Sequence, residues 1–90
     1  MIKIDFSKIM IKGIEGDDVS VDISKDLGNM MYYESRDIEV ADLGYKIYHE
    51  KEVDLTEEQA EMVRPFVMEG FKALVKKVLL PILETKKQQG

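Results

Sequence analysis

The chain has 90 residues, of which 44% are hydrophobic and 34% are charged, and its net charge at pH 7 is −5. It contains no cysteine, which excludes disulfide bridges, thiol nucleophiles and zinc–thiolate sites. The length fits one domain, which we place at residues 1–85, and the apolar content is too high for a disordered chain. The N-terminus lacks an apolar signal segment and charges interrupt the longest apolar stretch, so we expect a cytoplasmic protein without membrane contact.

The charges are unevenly distributed along the chain. Residues 1–63 contain 7 basic and 16 acidic residues, whereas residues 64–90 contain 6 basic and 2 acidic residues. An acidic body repels phosphate backbones, so nucleic acid is an unfavourable partner for most of the molecule. Contact with nucleic acid would have to begin in the basic C-terminal part.

The N-terminal segment has the pattern of a β-hairpin. Apolar and charged residues alternate over residues 2–6, and the alternation slips at Ser7–Lys8 before it resumes. We therefore expect strands near residues 2–12 and 19–23, with a bulge or a break in the first strand. A turn rich in glycine and aspartate joins the two strands.

Two related segments, DLGNMMYYE and DLGYKIYHE, share Asp, Leu, Gly, Tyr and Glu at an offset of sixteen residues. Their spacing predicts helices over about residues 24–34 and 37–50. Gly28 and Gly44 fall inside these helices, where glycine costs about 1 kcal/mol relative to alanine, so a close approach of another backbone should compensate. We interpret the repeat as two helices built to one packing scheme. The alternative is a duplicated ligand site with Asp and Tyr as ligands.

Side chains that cap helices mark where these helices begin. Asp22 or Ser24 is expected to cap the first helix, and Asp37 or Ser35 the second. Thr56 opens a capping box at the start of the third helix.

The C-terminal third of the chain predicts one long helix. It begins after Thr56, with a kink or a restart expected at Arg64 because of Pro65 and a second distortion at Pro81, and it ends at about residue 84. Residues 86–90 are expected to form a frayed polar tail. The predicted fold is therefore α+β, with an N-terminal β-hairpin packed on three helices, the last of them long and kinked.

This last helix has more apolar surface than one hairpin and two short helices need. We expect the surplus to be buried against a partner protein, most simply in a homodimer. The expected interface consists of four residues, namely Met68, Leu79, Leu80 and Leu83. The alternative is that a kink at Pro81 turns the last two leucines inward.

The sequence offers no recognised catalytic, nucleotide-binding or metal-binding motif. We therefore predict a non-enzymatic protein without a catalytic residue, cofactor or metal site. His49 is the only histidine, and its charged neighbours indicate an exposed surface residue. A small enzyme is the third hypothesis, which a pocket around Tyr32, Tyr48 and His49 would favour.

A nucleic-acid-associated regulator is the second hypothesis. Its contacts would come from the basic residues of the C-terminal helix, Lys72, Lys76 and Lys77. Surface lysines on a helix more commonly serve solubility, and no set of aromatic residues alternates with these three.

Four short segments follow one another over about half of the chain, namely the strand end Val21 to Ser24, the Leu27-Gly28 helix, the Ile47-Tyr48 helix end and the acidic Leu55-Thr56 helix start. In this order they resemble small accessory proteins of phage and prophage-type mobile elements. The resemblance implies a small accessory protein of a mobile element and assigns no residue a chemical role. Together with the apolar surplus, it leads us to expect a protein–protein interaction or assembly protein.

Overall fold

The computed structural model describes residues 1–84. Its elements follow the chain as β1 (Ile2–Asp5), β2 (Ile9–Lys12), β3 (Asp18–Val21), α1 (Ser24–Glu34), α2 (Ile38–Glu50), β4 (Glu52–Leu55), α3 (Glu57–Gly70) and α4 (Ala73–Leu83). The mixed α+β fold is as predicted from the sequence. The predicted tail at 86–90 and the domain end at Thr85 lie outside the described residues.

The predicted hairpin is present, but it is shorter than expected. Strands β2 and β3 pair antiparallel, from Ile9 opposite Val21 to Lys12 opposite Asp18. The intervening turn is closed by a hydrogen bond of 2.7 Å from the Gly13 N–H to the Asp17 carbonyl.

Strand β1 belongs to a different pair. Of the bulge or break expected near Ser7–Lys8, the structure has the break, and the two halves of the expected first strand pair with different partners. Strand β1 pairs antiparallel with β4, from Ile2 opposite Leu55 to Asp5 opposite Glu52. The chain breaks away between β1 and β2 because Asp5 closes a turn, accepting the Lys8 N–H at its carbonyl oxygen at 3.1 Å.

The backbone of Phe6 connects the residue before β4 to the residue before α1. Its N–H donates to the Lys51 carbonyl, and its carbonyl accepts the Ile23 N–H, each over 2.8 Å. Its side chain is fully buried in the core. One residue thus joins the β1–β4 pair to the start of α1.

Two Asp-X-Ser turns flank this connection. In each, one carboxylate oxygen accepts a hydrogen bond of 3.0 Å from the serine N–H and a second one from the serine hydroxyl, as Asp5 does from Ser7 and Asp22 from Ser24. These bonds favour the charged carboxylate, so they lower the pKa of both aspartates below its ordinary value. Since Ser24 is the first residue of α1, Asp22 satisfies one N–H of the helix start. The expected cap by Asp22 or Ser24 is absent, because Ile23 occupies the cap position and no side-chain cap hydrogen bond forms there.

The C-terminal region forms two helices, which corrects the prediction of one long helix kinked near Pro65. Helix α3 runs through Pro65 and ends at Gly70, and extended conformations at Phe71 and Lys72 separate it from α4. Pro65 is exposed, so water can hydrogen-bond a backbone carbonyl that loses its helical partner there.

The break between α3 and α4 resets the helical phase and determines which leucines are buried. Val75, Leu79 and Leu83, spaced four residues apart, face the core, and Leu79 and Leu83 are at most 2% exposed. The expectation that these two leucines form a surface for a partner is therefore wrong. Leu80 is half-buried against the core, and Met68 is exposed.

Leu79→Ala should lower the free energy of unfolding by about 2–5 kcal/mol, because it removes a fully buried side chain and leaves a cavity. Leu74→Ala is the matched control on the same helix, since Leu74 is 48% exposed and should change stability little. Urea denaturation measures both. Equal effects of the two substitutions would contradict the assigned orientation of α4.

The two Asp-X-Ser turns predict acid sensitivity. Because the folded-state pKa of Asp5 and Asp22 lies below the unfolded value of about 3.9, their stabilising contribution is complete above about pH 5 and is lost as pH falls through the folded-state pKa. A double variant with Asp5→Asn and Asp22→Asn should lose less stability than the wild type between about pH 5 and pH 3. Urea midpoints at the two pH values test this, and equal losses in both proteins would refute it.

Candidate functional site

The two related segments form α1 and α2, which pack against each other as an antiparallel pair. A short connection joins them, in which the Asp37 side chain accepts the Glu39 N–H at 2.9 Å and so caps α2. The connection also holds Ser35, whose hydroxyl accepts the Asp37 N–H at 3.0 Å. The pair therefore has a defined entry into its second helix.

The contact between the helices is centred on Gly28 and Gly44. A Cβ atom added at Gly28 would lie 2.7 Å from the Gly44 carbonyl oxygen, and one added at Gly44 would lie 2.9 Å from the Gly28 carbonyl oxygen. Real Cβ atoms almost never lie this close to a neighbouring atom. The backbone approach expected from two interior glycines is therefore present.

The repeat of sixteen residues corresponds to a local two-fold relation between the helices. The added Cβ at Gly28 would lie 3.0 Å from the Tyr48 backbone nitrogen, and the added Cβ at Gly44 would lie 3.0 Å from the Tyr32 backbone nitrogen. Gly28 and Gly44 are sixteen residues apart, and so are Tyr32 and Tyr48, so each glycine meets the tyrosine of the other segment. The repeat thus reflects packing, as the interpretation of one packing scheme predicted.

Beside this contact, both helices present aromatic side chains around one pocket of about 250 Å³. The residues come from matching positions of the repeat, one, four and five residues beyond each glycine. We call this surface the tyrosine face, and it consists of Gly28, Asn29, Tyr32, Tyr33, Tyr45, Tyr48 and His49.

The rings of the tyrosine face form a continuous cluster. Ring centroids are 5.0 Å apart for Tyr32 and Tyr33, 6.1 Å for Tyr32 and Tyr45, 4.3 Å for Tyr45 and His49, and 5.0 Å for Tyr48 and His49. Interplanar angles between 45° and 87° show that the rings are tilted against one another. Rings that are tilted against one another can form the walls of a concave pocket. Rings stacked face to face would leave no space between them.

All four tyrosines and the only histidine of the chain lie on this surface. Tyr32, Tyr33 and Tyr45 are 45%, 77% and 56% exposed. Phe6, in contrast, is fully buried. Exposed aromatic rings gathered at one pocket are typical of a binding surface.

The lining of the pocket consists of ring and amide groups together with Gly28. Within the described part of the chain, the lining contains phenol, amide and imidazole groups but no carboxylate, serine, threonine or lysine. A histidine that acts as general base usually needs a carboxylate to orient it and a nucleophile to activate. The pocket around Tyr32, Tyr48 and His49, named above as favouring an enzyme, exists without these accompanying groups. Over residues 1–84, no group of histidine and carboxylate side chains is arranged to hold a metal ion.

The residues predicted for nucleic-acid contact lie elsewhere. Lys72 precedes α4 and lines a separate cavity with Asp22 and Asp26. Lys76 is half-buried, and its ammonium group lies 3.4 Å from the Met68 carbonyl. None of the three lysines lines the tyrosine pocket.

Sequence reasoning missed Asn29, Tyr33 and Tyr45 as members of a site. The available signal was their position beside the glycines, which places them at the rim of any groove between helices that meet there. No local pattern in the sequence indicated that the predicted interface leucines are buried, because their burial depends on the break before α4.

Gly44→Ala should lower the free energy of unfolding by about 1–3 kcal/mol, because the new methyl group would overlap the Gly28 carbonyl oxygen and force the helices apart. Lys46→Ala, at an exposed position of the same helix, is the control and should change stability little. Urea denaturation compares the two variants. A neutral or stabilising effect of Gly44→Ala would show that the helices do not meet at this glycine.

Comparisons with known protein families, with curated proteins and with solved structures return no match for this chain. None of the helices within residues 1–84 is long and apolar enough to cross a lipid bilayer.

Proposed function

We propose that this protein is a non-enzymatic protein–protein interaction protein that contacts its partner through the tyrosine face. The observation that supports the proposal is the gathering of every tyrosine and the only histidine of the chain around one exposed pocket. The fold does not need the exposed rings, because its core is filled almost entirely by aliphatic side chains and methionine.

Tyrosine suits a contact surface for physical reasons. Its ring provides a large apolar area with only two rotatable bonds, so little conformational entropy is lost on binding, and its hydroxyl can hydrogen-bond. Tyrosine is accordingly enriched in the central residues of protein interfaces.

The helix pair that presents the rings is closely packed at its centre. The glycine contact fixes the two backbones relative to each other, so the rings do not need to be brought together when a partner arrives. A surface organised in advance binds with a smaller entropic cost.

The proposal moves the partner contact away from the C-terminal helix. Of the four residues predicted there, only Met68 and the half-buried Leu80 have surface to offer. Association as a homodimer, a role in a phage-type element and a cytoplasmic location stay predictions, as does the second hypothesis of nucleic-acid contact.

A double variant with Tyr33→Ser and Tyr45→Ser should abolish partner binding and leave the fold intact, because both side chains are more than half exposed. The measurement is quantitative co-purification of the tagged protein from its host, with light scattering to detect a second copy of the chain. A partner held in fixed stoichiometry by the wild type should be lost from the variant.

The matched control carries Met10→Ser and Ile14→Ser, two exposed apolar positions in the β2–β3 hairpin. It should retain the partner and the mass of the wild type. Loss of the partner from the control, or its retention by the tyrosine variant, would contradict the proposal.

A further inference from the structure

We propose that the tyrosine pocket binds an arginine side chain from a basic segment of the partner protein. This inference rests on the proposed function and adds the chemistry of the group that enters the pocket. Three features of the surface lead to it: its ring faces, its charge and its size.

The pocket is lined by five rings, four phenols and one imidazole. The face of an aromatic ring carries the negative part of its quadrupole and attracts a cation within about 6 Å of the ring centre. Since neighbouring centroids in the cluster are 4.3–6.1 Å apart, a cation in the pocket can contact several rings at once.

The charges of the surrounding helices favour a positive ligand. Helices α1 and α2 together contain five carboxylates and two lysines, and no lysine or arginine lines the pocket within the described chain. Asp26 and Asp42 lie one helical turn before Asn29 and Tyr45, at the edge of the pocket lining, and Asp26 also lines the separate cavity that contains Lys72. The same charges repel phosphate groups, which makes a nucleic acid a poor occupant.

Arginine fits this surface better than lysine. Its guanidinium group is planar and stacks on aromatic faces, whereas the ammonium group of lysine is compact and strongly hydrated. Its five N–H donors also need acceptors, and the lining supplies phenol oxygens and the amide oxygen of Asn29.

The size of the pocket suits one side chain. Pockets for drug-sized ligands usually measure about 300–1,000 Å³, and this one is about 250 Å³. The expected complex therefore has a single arginine in the pocket, with the rest of the basic segment lying along the acidic helices.

The chain provides its own reporter for this binding. It has no tryptophan, and its four tyrosines all line the pocket, so its intrinsic fluorescence comes from the tyrosine face alone. A peptide of arginine, glycine and serine does not fluoresce and should change the tyrosine emission in a saturable manner. The same peptide with lysine in place of arginine should bind several-fold more weakly, and one with neutral citrulline should not bind.

Tyr45→Leu should weaken binding of the arginine peptide roughly 3- to 30-fold, because it removes one ring face and leaves a smaller apolar side chain. Met10→Ser is the control and should bind as the wild type does. Unchanged urea midpoints establish that both variants are folded. The inference is overturned if the arginine and lysine peptides bind equally well and Tyr45→Leu has no effect, because binding would then depend on net charge alone. Preferential binding of a single-stranded oligonucleotide would also overturn it.

The two proposals fail in different ways. If the tyrosine double variant loses its partner in co-purification and the wild type ignores the arginine peptide, the arginine inference is wrong and the proposed function stands. If the wild type binds the peptide and the double variant still retains its partner, the pocket binds arginine but does not serve the partner contact.

Discussion

The close approach of Gly28 and Gly44 is the constraint on which the arrangement of this molecule depends. Each glycine leaves room for the carbonyl oxygen of the other, and a single methyl group at either position would overlap that oxygen. With the backbones this close, residues one, four and five positions further along each helix are placed on the rims of the groove between them. Buried Leu27 and Leu43 precede the glycines and anchor the pair to the core. One local repeat thus determines both the inner packing of the helix pair and the surface that it presents.

Elements with local signals could be predicted from the sequence. Helices α1 and α2 lie within one residue of their expected bounds, because their apolar spacing and the Asp37 cap act over a few positions. The capping box at Thr56 is present, with reciprocal hydrogen bonds to Gln59 of 3.0 and 3.1 Å. The glycine contact was also predictable, since an interior glycine in a helix costs stability that only a close neighbour compensates.

Features that depend on distant residues could not be predicted in this way. Strand β1 pairs with β4 across most of the chain, and no short-range pattern records that partner. The end of α3 at Gly70 could not be predicted either. The apolar spacing continues across this position, and only the tertiary structure shows that the helix ends there. Once the phase of α4 changed there, Leu79 moved from an expected surface into the core. The candidate site was predicted only in part, as a pocket around Tyr32, Tyr48 and His49, since its rings come from two helices and meet only when these pack together.

The separation of aliphatic and aromatic residues follows from how the helix pair is held. Tyrosine in a core needs a hydrogen-bond partner for its hydroxyl, whereas on the rim of a groove water or a bound protein supplies one. Backbone contact at the glycines and buried aliphatic side chains hold the two helices together. The exposed rings of Tyr33 and Tyr45 therefore contribute little to the association of the helices. Under the proposed function, substitutions on the rims should therefore alter partner binding without altering the fold, and substitutions at the glycines should alter both. This asymmetry distinguishes a surface built for binding from an aromatic cluster that serves only to stabilise the protein.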